Sequence, residues 1–425
     1  MSVLPNKIFY GWWVLLGLFL AYGASNGILI NTLPLLYPDL IQEFGWNEKE
    51  VTRPAAIFFV VSGFAVLFVG FLSDRFSPGR LLLVGLISLV ICLAAYAAIT
   101  SYWQMMTVYV AFAIALALGG VLPSMVILTR WFQGSRGLAV GIFLMSSSLG
   151  GAVLPLVIRT TLVEDGWREV LILLAIIGFV FMVLPIIALV KDHPRDKGTS
   201  QDGGQFEGGD DTAQTEGHGS VDVLSIHDAV RMPIFYLVAL ATGAMWFCIV
   251  GVVTHQSIYL AQDLGMDTSN LAFVFSAFFF SAFIGKLLFG WLSDYFDKIR
   301  IMLVATINLG IGLVILRGVD SGALWTVYAY ALIYGIGFSG TYTTIQLVIA
   351  ELFAGPAYGR ILGVFSLIDT LCGATGIEVL GAIRVARGSY LPAIDLMIAL
   401  IVIAAIGVAT ISRLQRSILW TPSSE

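Results

Sequence analysis

Runs of roughly 20 apolar residues, each long enough to cross about 30 Å of hydrocarbon as an α-helix, recur along the whole of this 425-residue chain. They fall near 9–36, 54–73, 80–99, 104–128, 137–161 and 168–190, and, after a polar gap, near 233–260, 270–291, 299–317, 322–352, 359–383 and 391–411. A chain that is 58% hydrophobic and 12% charged, with mean hydropathy +0.93, lies outside the composition of soluble domains. No period-two alternation marks the strands of a barrel. The expected fold class is an all-α integral membrane protein of twelve transmembrane helices in two six-helix bundles.

The gap, 191–231, is rich in Gly and Asp and poor in aromatics, and reads as a mobile linker between bundles 1–190 and 232–425. The first run is longer than a straight crossing needs and is interrupted by Gly23, Asn26, Gly27 and Asn31, which suits a bent helix lining a cavity. No small-residue cleavage pattern follows Met1, so this run reads as an uncleaved first helix. Cys92, Cys248 and Cys372 all sit inside apolar runs and read as core residues, with neither a disulfide nor a metal site inferred. With the termini on one side, that side collects 14 Lys and Arg residues against 7 on the other. Cytoplasmic termini and a cytoplasmic linker follow.

The loop after the second run, Gly70-Phe71-Leu72-Ser73-Asp74-Arg75-Phe76, has a near copy after the eighth, Gly290-Trp291-Leu292-Ser293-Asp294-Tyr295-Phe296. The chain is duplicated. Twelve helices, a central linker and this repeated Gly-x-x-x-Asp loop resemble the major facilitator superfamily over essentially the whole chain. Gly70, Asp74, Arg75, Gly79 and Arg80 match its loop motif with one residue inserted around Pro78, whereas the second copy keeps Gly290, Asp294, Lys298 and Arg300 without the second Gly. Tyr10-Gly11-Trp12-Trp13, Phe44-Gly45-Trp46 and Trp131-Phe132-x-x-x-Arg136-Gly137-Leu138-Ala139-x-Gly141 are similar to bacterial relatives of the monocarboxylate transporters and oxalate:formate antiporters. Those families carry small organic anions. The resemblance puts Lys286, four residues before Gly290, at their anion-binding cation, with Lys replacing Arg. It departs from the proton-linked animal members at Ala282, where they have an Asp, and near Asn31, where they have a Lys.

Read from the residues alone, a charge at the centre of a helix in hydrocarbon costs at least about 2.5–3.5 kcal/mol, so Lys286 requires an internal reason. It lies about 12 Å from the rim marked by Asp294, counting 1.5 Å per residue. It either stretches to the headgroups or, in the preferred reading, stands in a wet cavity as a point charge for a carboxylate. Asp369 is the second intramembrane charge, about 13 Å past Arg360, beside the small residues Ser366, Cys372, Gly373 and Gly376. At similar depth the two are expected to share one cavity, where a bound carboxylate competes for Lys286 and draws a proton onto Asp369. A fixed ion pair bracing helices 8 and 11 is the plain alternative. The oxalate:formate antiporters carry a cation at about the position of Asp369.

Tyr22, Asn31, Tyr334, Tyr342, Gln346 and His255 supply aromatic walls and hydrogen-bonding tips for a small, partly apolar solute. Glu378 is expected to face water near Arg384. The resemblance implies gating at Asp74 and Arg75 against helix 11, which begins near Arg360, and at Asp294 against helix 5, which begins near Arg136. The expected function is alternating-access transport of a lactate- or pyruvate-like monocarboxylate with a proton, across a bacterial inner membrane, by a monomer. Export of a cationic or amphipathic solute, or substrate sensing, are the alternatives. No hydrolase or redox constellation, phosphate loop or metal-ligand cluster is evident, so neither an enzyme nor a cofactor is expected, and the partners are the organic anion, the proton and the bilayer, without nucleic acid.

Overall fold

The computed structural model describes residues 9–203, 226–320, 322–353 and 358–419. Among them are twelve helices long and apolar enough to cross a membrane: α1 Gly11–Phe44, α2 Glu48–Leu72, α3 Pro78–Ala97, α4 Tyr102–Trp131, α5 Arg136–Glu164, α6 Trp167–Leu189, α7 Pro233–Asp263, α8 Thr268–Tyr295, α9 Lys298–Arg317, α10 Leu324–Leu352, α11 Arg360–Arg387 and α12 Leu391–Arg413. The side that carries the linker between α6 and α7 is the linker side below, and the opposite one the far side.

Proline explains two of the places where these helices depart from α geometry, in α1 and α6; the π turn at Tyr259–Asp263 that ends α7 has no proline beside it. A proline has no N–H to bond the carbonyl four residues back, and its ring crowds that carbonyl. In α1 the α-helical stretch gives way to a π turn at Gly27–Thr32 and a 3₁₀ turn at Leu33–Leu36 around Pro34. In α6 a π turn at Phe179–Val183 precedes Pro185. The expected bend in α1 is therefore present. The helix then ends on Gly45 at φ +67°, Phe44 and Trp46 stack at 4.3 Å, and Trp167 of α6 donates to Glu43 at 2.6 Å. The Phe44-Gly45-Trp46 signature is a far-side corner.

Packing gathers the chain into two compact units, one of residues 1–29, 64–150 and 168–219, the other of 30–63, 151–167 and 220–425. The second unit thus takes in the far-side ends of α1, α2 and α5 together with α7 to α12. Where helices touch, small residues let backbones approach, as membrane interfaces without a hydrophobic drive require. A Cβ on Gly376 of α11 would lie 2.4 Å from the Phe247 carbonyl of α7, and one on Gly285 of α8 would lie 2.9 Å from the Ile336 carbonyl of α10.

The segment expected to be a mobile linker starts as ordered structure in the first unit. Residues 204–225 lie outside the described residues, but Pro194–Lys197 and Gln201–Gly203 are 3₁₀ turns. The Trp131 indole donates to the Lys191 carbonyl at 2.8 Å. Asp192 accepts from the Gly79 backbone at 2.8 Å and from the Ser77 hydroxyl. Asp202 accepts from the Gly134 and Gln133 backbones at 2.6 and 3.1 Å and from the Ser135 hydroxyl at 3.2 Å. Hydrogen bonding to a strap of two acids therefore ties the α2–α3 and α4–α5 loops down.

This strap accounts for the unequal loop copies. Ser77 caps α3 and Pro78 occupies its first turn, where a missing N–H costs nothing. The acid that completes that cap is Asp192 from the linker, and a Cβ on Gly79 would come within 2.5 Å of it. In the second half the cap is Asp297, whose carboxylate accepts from the Arg300 backbone at 2.8 Å. A local acid needs no glycine beside it, and Ile299 stands where the first copy has Gly79.

The Gly134 amide, with those of Gln133 and Ser135, holds the Asp202 carboxyl below the usual carboxylate range. A depressed carboxyl stabilises its folded contacts above its unfolded value, and that contribution fades as pH falls through the folded one. Hydrogen exchange at the Gln133 and Gly134 amides should accordingly be faster in Asp202→Asn than in wild type at pH 6. The difference should shrink as pH drops below about 4.

Candidate functional site

Lys286 projects from a helix that is apolar on every side, and the packing of α8 decides which way it points. Ile284, Leu287 and Leu288 form an outward face, at 43%, 48% and 41% exposure, while Gly285 and Phe289 are buried. Close approach at Gly285 brings α8 against α10. The Lys286 ammonium consequently sits 5.4 Å from the centre of the Tyr342 ring on α10, and Tyr342 meets Trp246 of α7 edge to face at 5.8 Å and 62°. Lys286, Tyr342 and Gln346 are each half-buried. An ammonium over an aromatic face gains about 0.5–2 kcal/mol, which offsets only part of the cost of a charge at membrane depth. The side chain is turned away from the exposed row of α8, toward Tyr342 of α10.

Asp369 occupies a different interface. Its side chain is 3% exposed, and Asp369, Cys372, Gly373 and Gly376 form one face of α11 at helical spacing. That face packs on α7, where a Cβ on Gly243 would lie 2.9 Å from the Cys372 sulfur. The polar group that reaches the carboxyl is Thr242 of α7. The Thr242 hydroxyl also lies 3.5 Å from the Ala239 carbonyl, a length at which a hydrogen bond is weak. The second carboxyl oxygen has no hydrogen-bond partner, and among the described residues no cation pairs with Asp369. The expected neutralising contact with Lys286 is therefore not made in this state. Close packing of α11 on α7 directs the carboxyl toward Thr242 instead.

The Major Facilitator Superfamily profile matches residues 14–377 and 235–418. The chain belongs to that superfamily. Its relatives include an uncharacterised superfamily-type transporter, YcxA, of Bacillus subtilis, 22% identical over 93% of each chain. Monocarboxylate transporter 13 of Rattus norvegicus is 23% identical over 90% of this chain and 84% of its own. The glycerol-3-phosphate transporter of Bacillus subtilis is 25% identical over 68% and 66%. The fold matches the crystal structure of a bacterial homologue of the human lysosomal transporter Spinster, with TM-score 0.69, 17% identity and coverage of 98% and 100%.

The remaining positions expected in a major facilitator site are distributed as follows. Tyr22 is buried and stacks on Phe143 at 4.5 Å. Asn31 is buried in the α1 π turn, against the place where a Gly151 Cβ would stand. Tyr334 is fully buried and donates to the Cys248 carbonyl at 3.1 Å, a strut between α10 and α7. His255 lies toward the far side of α7, with one nitrogen 2.9 Å from the Tyr390 hydroxyl and the other 2.9 Å from the Ile377 carbonyl. Among the gating positions Arg75, Arg136, Asp294 and Arg360 are exposed, and the side chain of Asp74 lies outside the described residues.

Thr242 and Trp246 were not singled out in the sequence. Each lies in the seventh run, where a hydroxyl and an indole one turn apart mark the face that meets α10 and α11. Removing the hydroxyl with Thr242→Val should destabilise the protein by about 1 kcal/mol, the usual worth of one hydrogen bond. The midpoint of thermal unfolding in detergent reads this, and in an Asp369→Leu background, which leaves the hydroxyl no acceptor on α11, Thr242→Val should cost little further.

Proposed function

We propose that this superfamily member carries a small monocarboxylate together with a proton by alternating access. The reading rests on the half-buried Lys286 ammonium lying over the Tyr342 ring, which in turn meets Trp246 edge to face. A point charge beside aromatic walls suits a compact anion with an apolar tail. The names of the rat monocarboxylate and bacterial glycerol-3-phosphate transporters, both of anions, support this sign of charge.

Asp369 takes the proton. A carboxylate buried with one oxygen unpartnered is costly, and proton uptake removes that cost. Since Thr242 rather than Lys286 touches it, coupling runs through the α7–α11 interface. Solute at Lys286 meets Trp246, one turn from Thr242 on the same helix, so movement of α7 changes the surroundings of Asp369. A second reading, export of a cationic solute, is favoured by that same unpartnered oxygen. Asp74 with Arg75 and Arg360, and Asp294 with Arg136, gate the linker side. The setting is a bacterial inner membrane, with termini and linker in the cytoplasm.

Uptake of labelled lactate, pyruvate, acetate and oxalate into proteoliposomes, with and without an inward proton gradient, tests the proposal. Wild type should accumulate a monocarboxylate only with the gradient. Losing a charge-assisted contact of about 1.5–3 kcal/mol, Lys286→Ala should weaken uptake by roughly 10- to 150-fold. Asp369→Asn should still exchange the solute but no longer concentrate it. If no carboxylate moves under any gradient and a cation panel does, the export reading replaces this one.

A further inference from the structure

The side chains beside Lys286 are ordered by polarity along α10. Phe338, Tyr342 and Gln346 follow one another a turn apart, each half-buried, over about 12 Å at 1.5 Å per residue. α8 and α10 both run from the far side to the linker side, and they pack closely, since a Cβ on Gly335 of α10 would lie 2.4 Å from the Phe278 carbonyl of α8. Phe338 consequently meets the ring of Phe278 at 5.6 Å and that of Phe279, two turns before Lys286, at 6.3 Å. From the linker side outward the order is an amide, an ammonium over a phenol, and then phenyl rings.

The far-side end of this strip is closed. Phe279 is 1% exposed, and a Cβ on Gly151 of α5 would lie 2.6 Å from its ring and 2.9 Å from the Asn31 Cβ. Glycine at 151 leaves the Phe279 ring its place. The aromatic stretch past the Lys286–Tyr342 pair therefore extends one helical turn, about 6 Å, and stops. The rings of Phe278, Phe279 and Phe338 offer a solute neither a hydrogen-bond donor nor an acceptor.

We propose that the solute at Lys286 is an aryl-tailed monocarboxylate, its carboxylate at the ammonium and its ring against Phe338, with Phe338 setting which tail is preferred. The proposal rests on the carboxylate reading above and narrows it. A pyruvate methyl stands two bonds from its carboxyl carbon and stops short of Phe338. A phenyl ring one carbon removed from the carboxylate, as in phenylacetate, spans the turn. Rings attract one another in tilted and edge-to-face arrangements, which Phe338 already adopts with Phe278 and Phe279 at 46° and 87°. A dicarboxylate such as oxalate would leave its second charge against rings that cannot solvate it.

Isothermal titration calorimetry of the purified full chain in detergent tests this with phenylacetate, pyruvate and the amine phenethylamine. Wild type should bind phenylacetate at least about tenfold more tightly than pyruvate. Phe338→Ala should cut that ratio about tenfold. Phe338→Leu, which keeps most of the volume without the ring, should also lower it, Phe338→Tyr should retain it, and Lys286→Ala should weaken both acids together. Pyruvate bound as tightly as phenylacetate, or a ratio unmoved in monodisperse Phe338→Ala and Phe338→Leu protein, overturns the aryl assignment and leaves the monocarboxylate reading standing. Binding of phenethylamine alone, or of neither acid, removes both.

Discussion

Hydrocarbon solvates no polar group, and each feature of this protein is an answer to that fact. Backbone amides and carbonyls must bond within their own segment, which makes every crossing a helix. Side-chain charges must be spent at the ends or explained in the middle. Among the described Lys and Arg residues, Lys286 alone lies deep in a span, and it is turned from the exposed row of Ile284, Leu287 and Leu288 toward Tyr342. Asp369 meets the same demand differently, with a hydroxyl from α7 and nearly complete exclusion from the surface. Where many charges do gather, at Glu48, Lys49, Arg53, Asp263, Glu378 and Arg384, they balance in sign.

The twelve crossings, the duplication and the bend in α1 were legible in the sequence because each rests on local chemistry: apolar run length, a repeated loop, and glycine and asparagine ahead of Pro34. The existence of the two intramembrane charges was legible for the same reason. Their surroundings were not. Equal depth along α8 and α11 puts Lys286 and Asp369 at one level, but depth says nothing about rotation, and the small face of Cys372, Gly373 and Gly376 turns Asp369 toward Thr242 of α7, where it makes no ion pair with Lys286.

Glu378 shows the same limit. Arg384 is six residues on, near in the sequence but well round the helix, since six residues turn through about 600° at 3.6 per turn. The partner it takes is Arg53, 325 positions away. Long-range pairing of this kind depends on how helices dock, which apolar periodicity does not encode. The linker offers the opposite lesson, since Gly- and Asp-rich composition signalled mobility although Asp192 and Asp202 are the acids that fasten two loops.

The borrowed cap at Asp192 also sets an order in time. A chain made from its N-terminus produces the α2–α3 turn early, yet the carboxylate that finishes that turn emerges only after α6. The matching turn between α8 and α9 carries Asp297 within it and is complete as soon as it is made. Two halves descended from one repeat therefore mature on different schedules, the first waiting for its own linker and the second waiting for nothing.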